Sequence, residues 1–416
     1  MILSQEMYSL IPLGTMWVLL SALCIPSFCF DFFSPYDFGV LSILLAISYL
    51  FANIFSFGIP ATLYAHIPKL MPDKQKAYDF LKSNFLFQTA LALIGLGMLY
   101  VLLPHIDARF FKLNLPHYYY GLTVLSTLLY IWQNFVRDSL NAAERFMHIN
   151  IATTVSSVVR IVLIVVCGYF GVLTIPLTII ILGIVAPAVV FIMVLPQRIA
   201  VVQSLIRHSV ERGHIKLSFT LPYFISTQLF NLTTRADLFL VAYYLTTVDA
   251  GQYSVAQRVI FVIITSIDSI TQVLSAEYAK ITTREEIIRL IKKSFKYMAI
   301  PSAVLVMFAL TPAALYAVFI PKAYMPSVPI IKLLSLAYIP FAFDAALLLF
   351  FLYTLKKPMF VLYVNIIMLA LVTTLHVIFI PQLGMQGPVV SFGLTYLVVT
   401  IVIGLNLLRE LRLLKH

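Results

Sequence analysis

Long apolar runs are the feature that most constrains the fold of this chain. They recur along all 416 residues, 61% of which are hydrophobic. The mean hydropathy is +0.98, and charged residues make up only 11% of the chain. A water-soluble protein could not cover its surface with so few polar side chains. The composition therefore predicts an all-α protein that crosses a membrane many times.

The number of runs predicts the number of membrane crossings. A spanning helix needs about 20 apolar residues, and twelve runs meet this requirement. Their predicted bounds are 8–30, 38–63, 84–103, 117–137, 151–170, 173–195, 217–246, 251–276, 297–319, 327–353, 358–380 and 385–408.

The distribution of lysine and arginine predicts the orientation of these spans. With a cytoplasmic N-terminus, the inner segments hold 21 Lys and Arg residues and the outer loops hold three. This is the positive-inside asymmetry of membrane proteins, so both termini are predicted to be cytoplasmic. The net charge of +11 is thereby explained by topology, and nucleic acid is not an expected partner.

A short motif recurs in the two halves of the chain. Asp37-Phe-Gly-Val-Leu-Ser-Ile matches Asp249-Ala-Gly-Gln-Tyr-Ser-Val at an offset of 212 residues. We interpret each Asp-x-Gly as a cap that opens a helix, the second one after a tight turn at 249–251. We predict an N-terminal six-helix bundle over 1–200 and a C-terminal six-helix bundle over 201–416. A pseudo-two-fold axis along the membrane normal would relate them, with a central cavity between them.

Residues 277–297 are predicted to form an amphipathic helix on the cytoplasmic membrane surface. Thr283 and Glu286 have the spacing of a capping box. The helix would turn an apolar face to the bilayer and three lysines, Lys292, Lys293 and Lys296, to anionic headgroups.

Ionisable residues inside the apolar runs are the candidate functional residues, because burying them in a membrane is costly. Arg235 and Asp237 lie in the seventh run, and Arg258 lies in the eighth. A short turn between the two runs would bring all three to similar depths. The positions at offset 212 in the first half are all apolar, namely Leu23, Ile25 and Ala46.

Two interpretations of this cluster stay open. It could be a binding site, or a buried ion pair that locks the hairpin, with Asp237 neutralising one arginine. The arginines outnumber the aspartate, and a remaining cation suits a phosphate-bearing ligand, which arginine binds through two parallel hydrogen bonds. Arg160, near the middle of the fifth run, is a second candidate for such a site.

Two further carboxylates, Asp268 in the eighth run and Asp344 in the tenth, lie nearer the inner leaflet. Either could carry a coupling proton or pair with a cation, and we take Asp268 as the coupling-ion candidate. The chain has no phosphate-binding glycine loop and no zinc-protease or paired-cysteine motif. We therefore expect no catalytic residue, no metal and no cofactor.

Three stretches of sequence together resemble one family. They are PYDFGVLSILLAISYLFANIFSFGIPATL (35–63), RADLFLVAYYLTTVDAGQYSVAQRV (235–259) and IPQLGMQGPVVSFGL (380–394). With twelve spans, both termini inside and a half-length repeat, they resemble the bacterial polysaccharide flippases of the O-antigen type. These form the oligosaccharide-lipid branch of the multidrug/oligosaccharidyl-lipid/polysaccharide exporter superfamily, and the resemblance covers nearly the whole chain.

The resemblance implies a non-enzymatic transporter of the bacterial inner membrane. It would flip an undecaprenyl-pyrophosphate-linked oligosaccharide from the cytoplasmic to the outer leaflet by alternating access, for surface polysaccharide assembly. Its cargo-binding residues would be Arg160, Arg235, Arg258 and Asp237. Its partners would be the lipid-linked oligosaccharide and membrane lipids, with the polysaccharide polymerase and chain-length machinery as further candidates.

Two alternatives from other classes stay open. A drug/cation antiporter of the same fold would favour an acidic cavity, whereas the arginines here cluster in the outer half of the membrane. A membrane-embedded glycosyltransferase, polymerase or ligase would need room for chemistry outside the membrane. No outer loop of this chain is long enough to form a catalytic domain.

Overall fold

The computed structural model describes residues 32–71, 73–143, 145–194, 217–278, 281 and 283–413. These residues are mostly helical and contain no β-strand. The helices are α1 Pro35–Ser56, α2 Ile59–Leu70, α3 Lys74–Ile106, α4 His117–Ala142, α5 Phe146–Tyr169, α6 Ile175–Ile180, α7 Ala186–Val194, α8 Leu217–Tyr244, α9 Thr247–Tyr278, α10 Arg284–Leu310, α11 Ala313–Tyr316, α12 Ser327–Ala337, α13 Ile339–Leu349, α14 Pro358–Leu383 and α15 Gly387–Leu413. Three π-helical turns extend or join them, at Asp107–Phe111, Ile181–Val185 and Phe350–Thr354.

Several of these helices can cross a membrane. Within the described residues, eight helical stretches are long and apolar enough to do so, and the chain is a multi-pass membrane protein. Helices lie at the positions of the second to twelfth predicted spans. The first predicted span, 8–30, lies outside the described residues, so the count of twelve stays a prediction.

The predicted span 38–63 is two helices. Helix α1 ends at Ser56, and the two residues after it have positive φ angles, 47° at Phe57 and 68° at Gly58. Pro60 then occupies the first turn of α2, where its missing N–H leaves no hydrogen bond unmade. The tenth predicted span is divided in the same way, since Pro340 follows a break at Tyr338 between α12 and α13.

The predicted surface helix over 277–297 is wrong in its bounds. Residues from Arg284 to Leu310 form one continuous helix, α10, with Pro301 inside it. The capping box is confirmed, because Thr283 accepts from the Glu286 backbone N–H and the Glu286 side chain accepts from the Thr283 backbone N–H. Lys292, Lys293 and Lys296 therefore lie within a membrane helix and not on a separate surface helix.

The duplicated motif opens two helices, as predicted. In each copy the Asp exchanges hydrogen bonds with a hydroxyl residue three positions earlier. Ser34 Oγ donates to Asp37 Oδ2 over 2.7 Å and accepts from the Asp37 backbone N–H. Thr246 Oγ1 and Asp249 make the same pair of bonds, with 2.6 Å for the hydroxyl. The predicted turn at 249–251 is consequently wrong. The break lies at 245–246, and Asp249 is already in the first turn of α9.

The two glycines of the repeated motif face each other. A Cβ atom on Gly39 would overlap the backbone oxygen of Thr247 and approach Gly251 N. A Cβ atom on Gly251 would overlap the backbone oxygen of Pro35 and approach Gly39 N. The first turns of α1 and α9 thus touch backbone to backbone, which only glycine at both positions permits.

The chain divides into two compact units. The central unit, Val40–Asn231, has a core cluster around Ile59, Leu63, Phe80 and Phe135. The terminal unit combines Met1–Gly39 with Leu232–His416, and its largest buried side chains are aromatic, among them Tyr253, Tyr324, Tyr396 and Phe392. The predicted bundle boundary at residue 200 lies outside the described residues, and the division into two six-helix bundles stays a prediction.

Candidate functional site

Asp237 is the best-anchored of the predicted site residues. It lies on α8 and is fully buried. Its carboxylate accepts a hydrogen bond from Tyr253 Oη at 2.6 Å and from Gln257 Nε2 at 2.8 and 2.9 Å. The backbone N–H of Leu238 adds a fourth bond at 2.8 Å. The side-chain donors sit one turn apart on α9, so these hydrogen bonds join α8 to α9.

An aromatic cluster surrounds this carboxylate, and sequence analysis did not find it. Tyr338 lies 5.2 Å from Tyr396 between ring centroids, and Tyr396 stacks on Phe392 at 5.7 Å. Both tyrosines are close enough to Asp237 to interact with it electrostatically. They come from segments about 100 or more residues further along the chain. No local pattern could have revealed that they meet Asp237.

Arg235 and Arg258 each lie over an aromatic ring. The guanidinium carbon of Arg235 is 4.8 Å from the centre of the Phe261 ring. That of Arg258 is 4.7 Å from the centre of the Phe38 ring. Cation–π contacts of this kind are worth about 0.5–2 kcal/mol.

Arg160 is half-buried on α5, in the central unit. Its Nη2 donates to Ser157 Oγ over 2.7 Å, one turn earlier on the same helix. Its Nε is buried and has no hydrogen-bond partner within the described chain. None of the ion pairs found between residues 32 and 413 includes Arg160. Among the described residues, this arginine is therefore a membrane-helix cation without a carboxylate in ion-pair contact.

The two remaining carboxylates differ in their surroundings. Asp268 is exposed on α9. Asp344 on α13 is buried, and its Oδ2 accepts from Thr400 Oγ1 over 2.8 Å while its Oδ1 has no partner among the described residues. The same part of the chain contains no group of three or more His, Cys, Asp or Glu residues that could hold a metal ion.

The structure thus brings three of the predicted site residues together on one pair of helices. Arg235 and Asp237 on α8 and Arg258 on α9 belong to the terminal unit, whereas Arg160 belongs to the central unit. Tyr253 and Gln257 complete the Asp237 cluster. Tyr253 belongs to the repeated motif. The corresponding residue of the first copy is Leu41, so comparing the two copies gave no reason to select the tyrosine.

Replacing Tyr253 by phenylalanine should destabilise the protein. The change removes one hydrogen bond to a buried carboxylate, for which we expect a loss of about 1–3 kcal/mol in the free energy of unfolding. The measurement is the midpoint of thermal unfolding in detergent. Tyr363→Phe is the matched control, because Tyr363 is exposed in the same unit. Equal midpoints for the two variants would contradict the anchoring role of Tyr253.

Comparisons with known proteins place the chain in a family. A family model described as polysaccharide biosynthesis protein matches residues 32–329. A search of curated proteins found no match.

Solved structures share the fold. An inward-facing multidrug resistance MATE family transporter of the MOP superfamily superposes with a TM-score of 0.73 at 16% identity, covering 95% of both chains. The inward closed conformation of the lipid II flippase MurJ gives a TM-score of 0.75 at 13% identity, covering 96% of this chain and 87% of the flippase. A MOP superfamily transporter from Pyrococcus furiosus gives 0.60 at 16% identity, covering 97% and 96%.

The family match extends over more than half of the chain, and the structural matches extend over nearly all of it. At these identities the structural matches establish the fold alone. The all-helical membrane architecture derived above agrees with both. The chain belongs to the polysaccharide biosynthesis protein family and has the fold of the MOP superfamily transporters.

Proposed function

We propose that this protein flips an undecaprenyl-pyrophosphate-linked oligosaccharide from the cytoplasmic to the outer leaflet of the bacterial inner membrane. The movement occurs by alternating access and serves surface polysaccharide assembly. Two findings support the proposal, namely membership in a polysaccharide biosynthesis family and a fold shared with a lipid II flippase and with multidrug transporters. The protein moves its cargo without changing a covalent bond and is not an enzyme.

The observation that carries the proposal is the arrangement of Arg235, Asp237 and Arg258. Charged residues in membrane helices are costly and mark substrate or ion pathways. The cluster has two arginines and one aspartate, so its positive charge exceeds its negative charge. Such a site favours an anionic cargo over a cationic one.

Two arginines suit a diphosphate in particular. A guanidinium donates within its own plane, and a phosphate accepts two such bonds side by side. The rings of Phe261 and Phe38 lie against Arg235 and Arg258, so each guanidinium is covered on one side by an aromatic ring. Arg160 contributes further positive potential, and Asp237 holds the α8/α9 pair together. Asp268 remains the coupling-ion candidate, since an exposed carboxylate on a membrane helix requires water on that side.

The arrangement of the whole chain is part of the proposal. Two six-helix bundles, 1–200 and 201–416, would enclose the cargo between them, with both chain termini in the cytoplasm. Membrane lipids would surround the bundles, and the polysaccharide polymerase and chain-length machinery would receive the cargo on the outer side.

Deleting the gene tests the function directly. We expect lipid-linked oligosaccharide to accumulate in the cytoplasmic leaflet while surface polysaccharide is lost. The measurement is mass spectrometry of extracted lipid-linked sugars, combined with leaflet labelling by a membrane-impermeant lectin. The mass of the accumulated lipid would also identify the cargo.

Two other outcomes would redirect the assignment. Unchanged lipid-linked sugars together with raised drug sensitivity would favour the drug/cation antiporter, whose fold this chain shares. Sugar transfer by the purified protein would favour the glycosyltransferase, polymerase or ligase alternative. Either result would contradict the proposed flippase.

A further inference from the structure

A second pair of opposite charges lies in the central unit, on α4. Arg137 Nε contacts Asp138 Oδ1 at 3.2 Å. The side chain of Arg137 is 45% exposed, whereas that of Asp138 is 7% exposed. Neighbouring residues on a helix do not face each other, so the arginine must bend towards its partner. The contact uses one nitrogen and one oxygen, and it lacks the two parallel bonds that make the strongest arginine–carboxylate pairs.

Asp138 can keep its position if Arg137 leaves. The phenol of Tyr64, on α2, is also hydrogen-bonded to the Asp138 carboxylate. The buried carboxylate is therefore held from a second helix, and the exposed arginine is the more mobile member of the pair. Arg137 is bound to Asp138 by one hydrogen bond and is half-exposed, so it can exchange partners more readily than the buried carboxylate.

Tyr130 connects this pair to Arg160. It lies two helical turns before Arg137 on the same face of α4, roughly 10 Å further along the helix axis. It lies close enough to Arg137 and to Arg160 on α5 to influence both electrostatically. Arg160 has a buried Nε without a hydrogen-bond partner in the described chain. Counted from the end of α4 at Ala142, these side chains therefore follow one another into the helix pair in the order Arg137, Tyr130 and Arg160.

We infer that Arg137 and Arg160 form a two-step path for a diphosphate group along α4 and α5. Arg137 exchanges Asp138 for the diphosphate at the mouth of the path, and Arg160 receives it near the middle of the membrane. Asp138 competes with the ligand for Arg137 and so promotes release towards Arg160. This inference rests on the proposed function, because it takes the diphosphate to belong to the lipid-linked cargo.

Binding of undecaprenyl pyrophosphate to protein in nanodiscs tests the inference. Asp138→Asn keeps the shape of the side chain and removes the competing charge, so we expect binding to tighten roughly three- to tenfold. Transport of the oligosaccharide should become slower, because the ligand leaves Arg137 less readily. Adding Arg137→Gln to Asp138→Asn should abolish the gain in affinity, which a purely structural role of Asp138 does not predict.

Glu410→Gln is the matched control. Glu410 pairs with Lys357 at 2.7 Å, and the side chains are 16% and 48% exposed, so this change also releases a half-exposed cation from a mostly buried carboxylate, but in the terminal unit. Tightening by the control equal to that by Asp138→Asn would overturn the inference, as it would reflect net charge alone. Equal tightening towards phosphatidylglycerol would overturn it as well, because the path would then accept any anionic headgroup.

The two proposals can fail separately. If the wild-type protein does not bind undecaprenyl pyrophosphate, the proposed function itself is contradicted. If the wild-type protein binds it and Asp138→Asn binds with the same affinity, only the exchange at Arg137 is contradicted. Size-exclusion chromatography of Asp138→Asn establishes that the variant is folded. Arg137→Gln alone provides a second test, with weaker binding expected.

Discussion

Arg235→Ala is expected to abolish export of the lipid-linked oligosaccharide while leaving the amount of protein in the membrane unchanged. The variant loses a charge-assisted bond to the cargo, worth about 1.5–3 kcal/mol, which corresponds to roughly ten- to a hundredfold in affinity. It also loses the stack on Phe261. Because Asp237 takes its hydrogen bonds from Tyr253, Gln257 and the Leu238 backbone, the α8/α9 pair should still fold. The measurement is surface polysaccharide in a deletion strain that expresses the variant.

Two further variants sharpen this test. Arg235→Lys keeps the charge but not the planar group, and it should retain partial activity because lysine cannot make the paired bonds. Arg289→Ala removes an exposed arginine of α10 and should export normally. Full activity of Arg235→Ala would contradict the assignment of this residue to cargo binding.

Gly251→Ala is expected to destabilise the fold strongly. Its Cβ would overlap the backbone oxygen of Pro35, and backbone atoms cannot turn aside as a flexible side chain can. The first turns of α1 and α9 would have to separate, at a cost of at least about 1–3 kcal/mol. Gly39→Ala should behave alike, since its Cβ would overlap the Thr247 oxygen. The measurement is the midpoint of thermal unfolding in detergent.

Gly404→Ala provides the control for both glycine variants. Gly404 lies inside α15, in the same unit, and a Cβ there would have no atom within 4 Å. Alanine is the better helix former by about 1 kcal/mol, so this variant should be as stable as the wild type or more so. If Gly251→Ala and Gly404→Ala unfold at the same temperature, the close crossing of α1 and α9 does not exist.

Local patterns predicted the helices well because their causes are local. The apolar runs predicted helices at eleven positions that the structure describes, and the Thr283–Glu286 spacing predicted the cap of α10. The prediction failed at the start of α9, where side-chain hydrogen bonds decide which residue opens the helix. The turn was predicted at Asp249–Gly251, but Thr246 and Asp249 cap each other, and α9 starts at Thr247, four residues before the predicted span.

Sequence analysis predicted which residues form the site but not which residues contact one another. Intramembrane charge singled out Arg235, Asp237 and Arg258, because the cost of burying a charge can be judged from sequence. The expected pairing of Asp237 with an arginine was the simplest way to meet that cost. Tyr253 and Gln257 also donate to this carboxylate, and they could be recognised as its donors only once α8 and α9 had been packed together.

The sequence by itself determined that the chain is helical, that it crosses a membrane, and which charges it places there. These properties follow from the apolar content of each run and from the spacing of its polar residues. Only the tertiary structure decided what the repeated motif does. Gly39 and Gly251 are 212 residues apart, and their lack of a Cβ atom matters because the first turns of two helices meet backbone to backbone. Contacts between such distant residues depend on how the helices pack, which no local pattern contains.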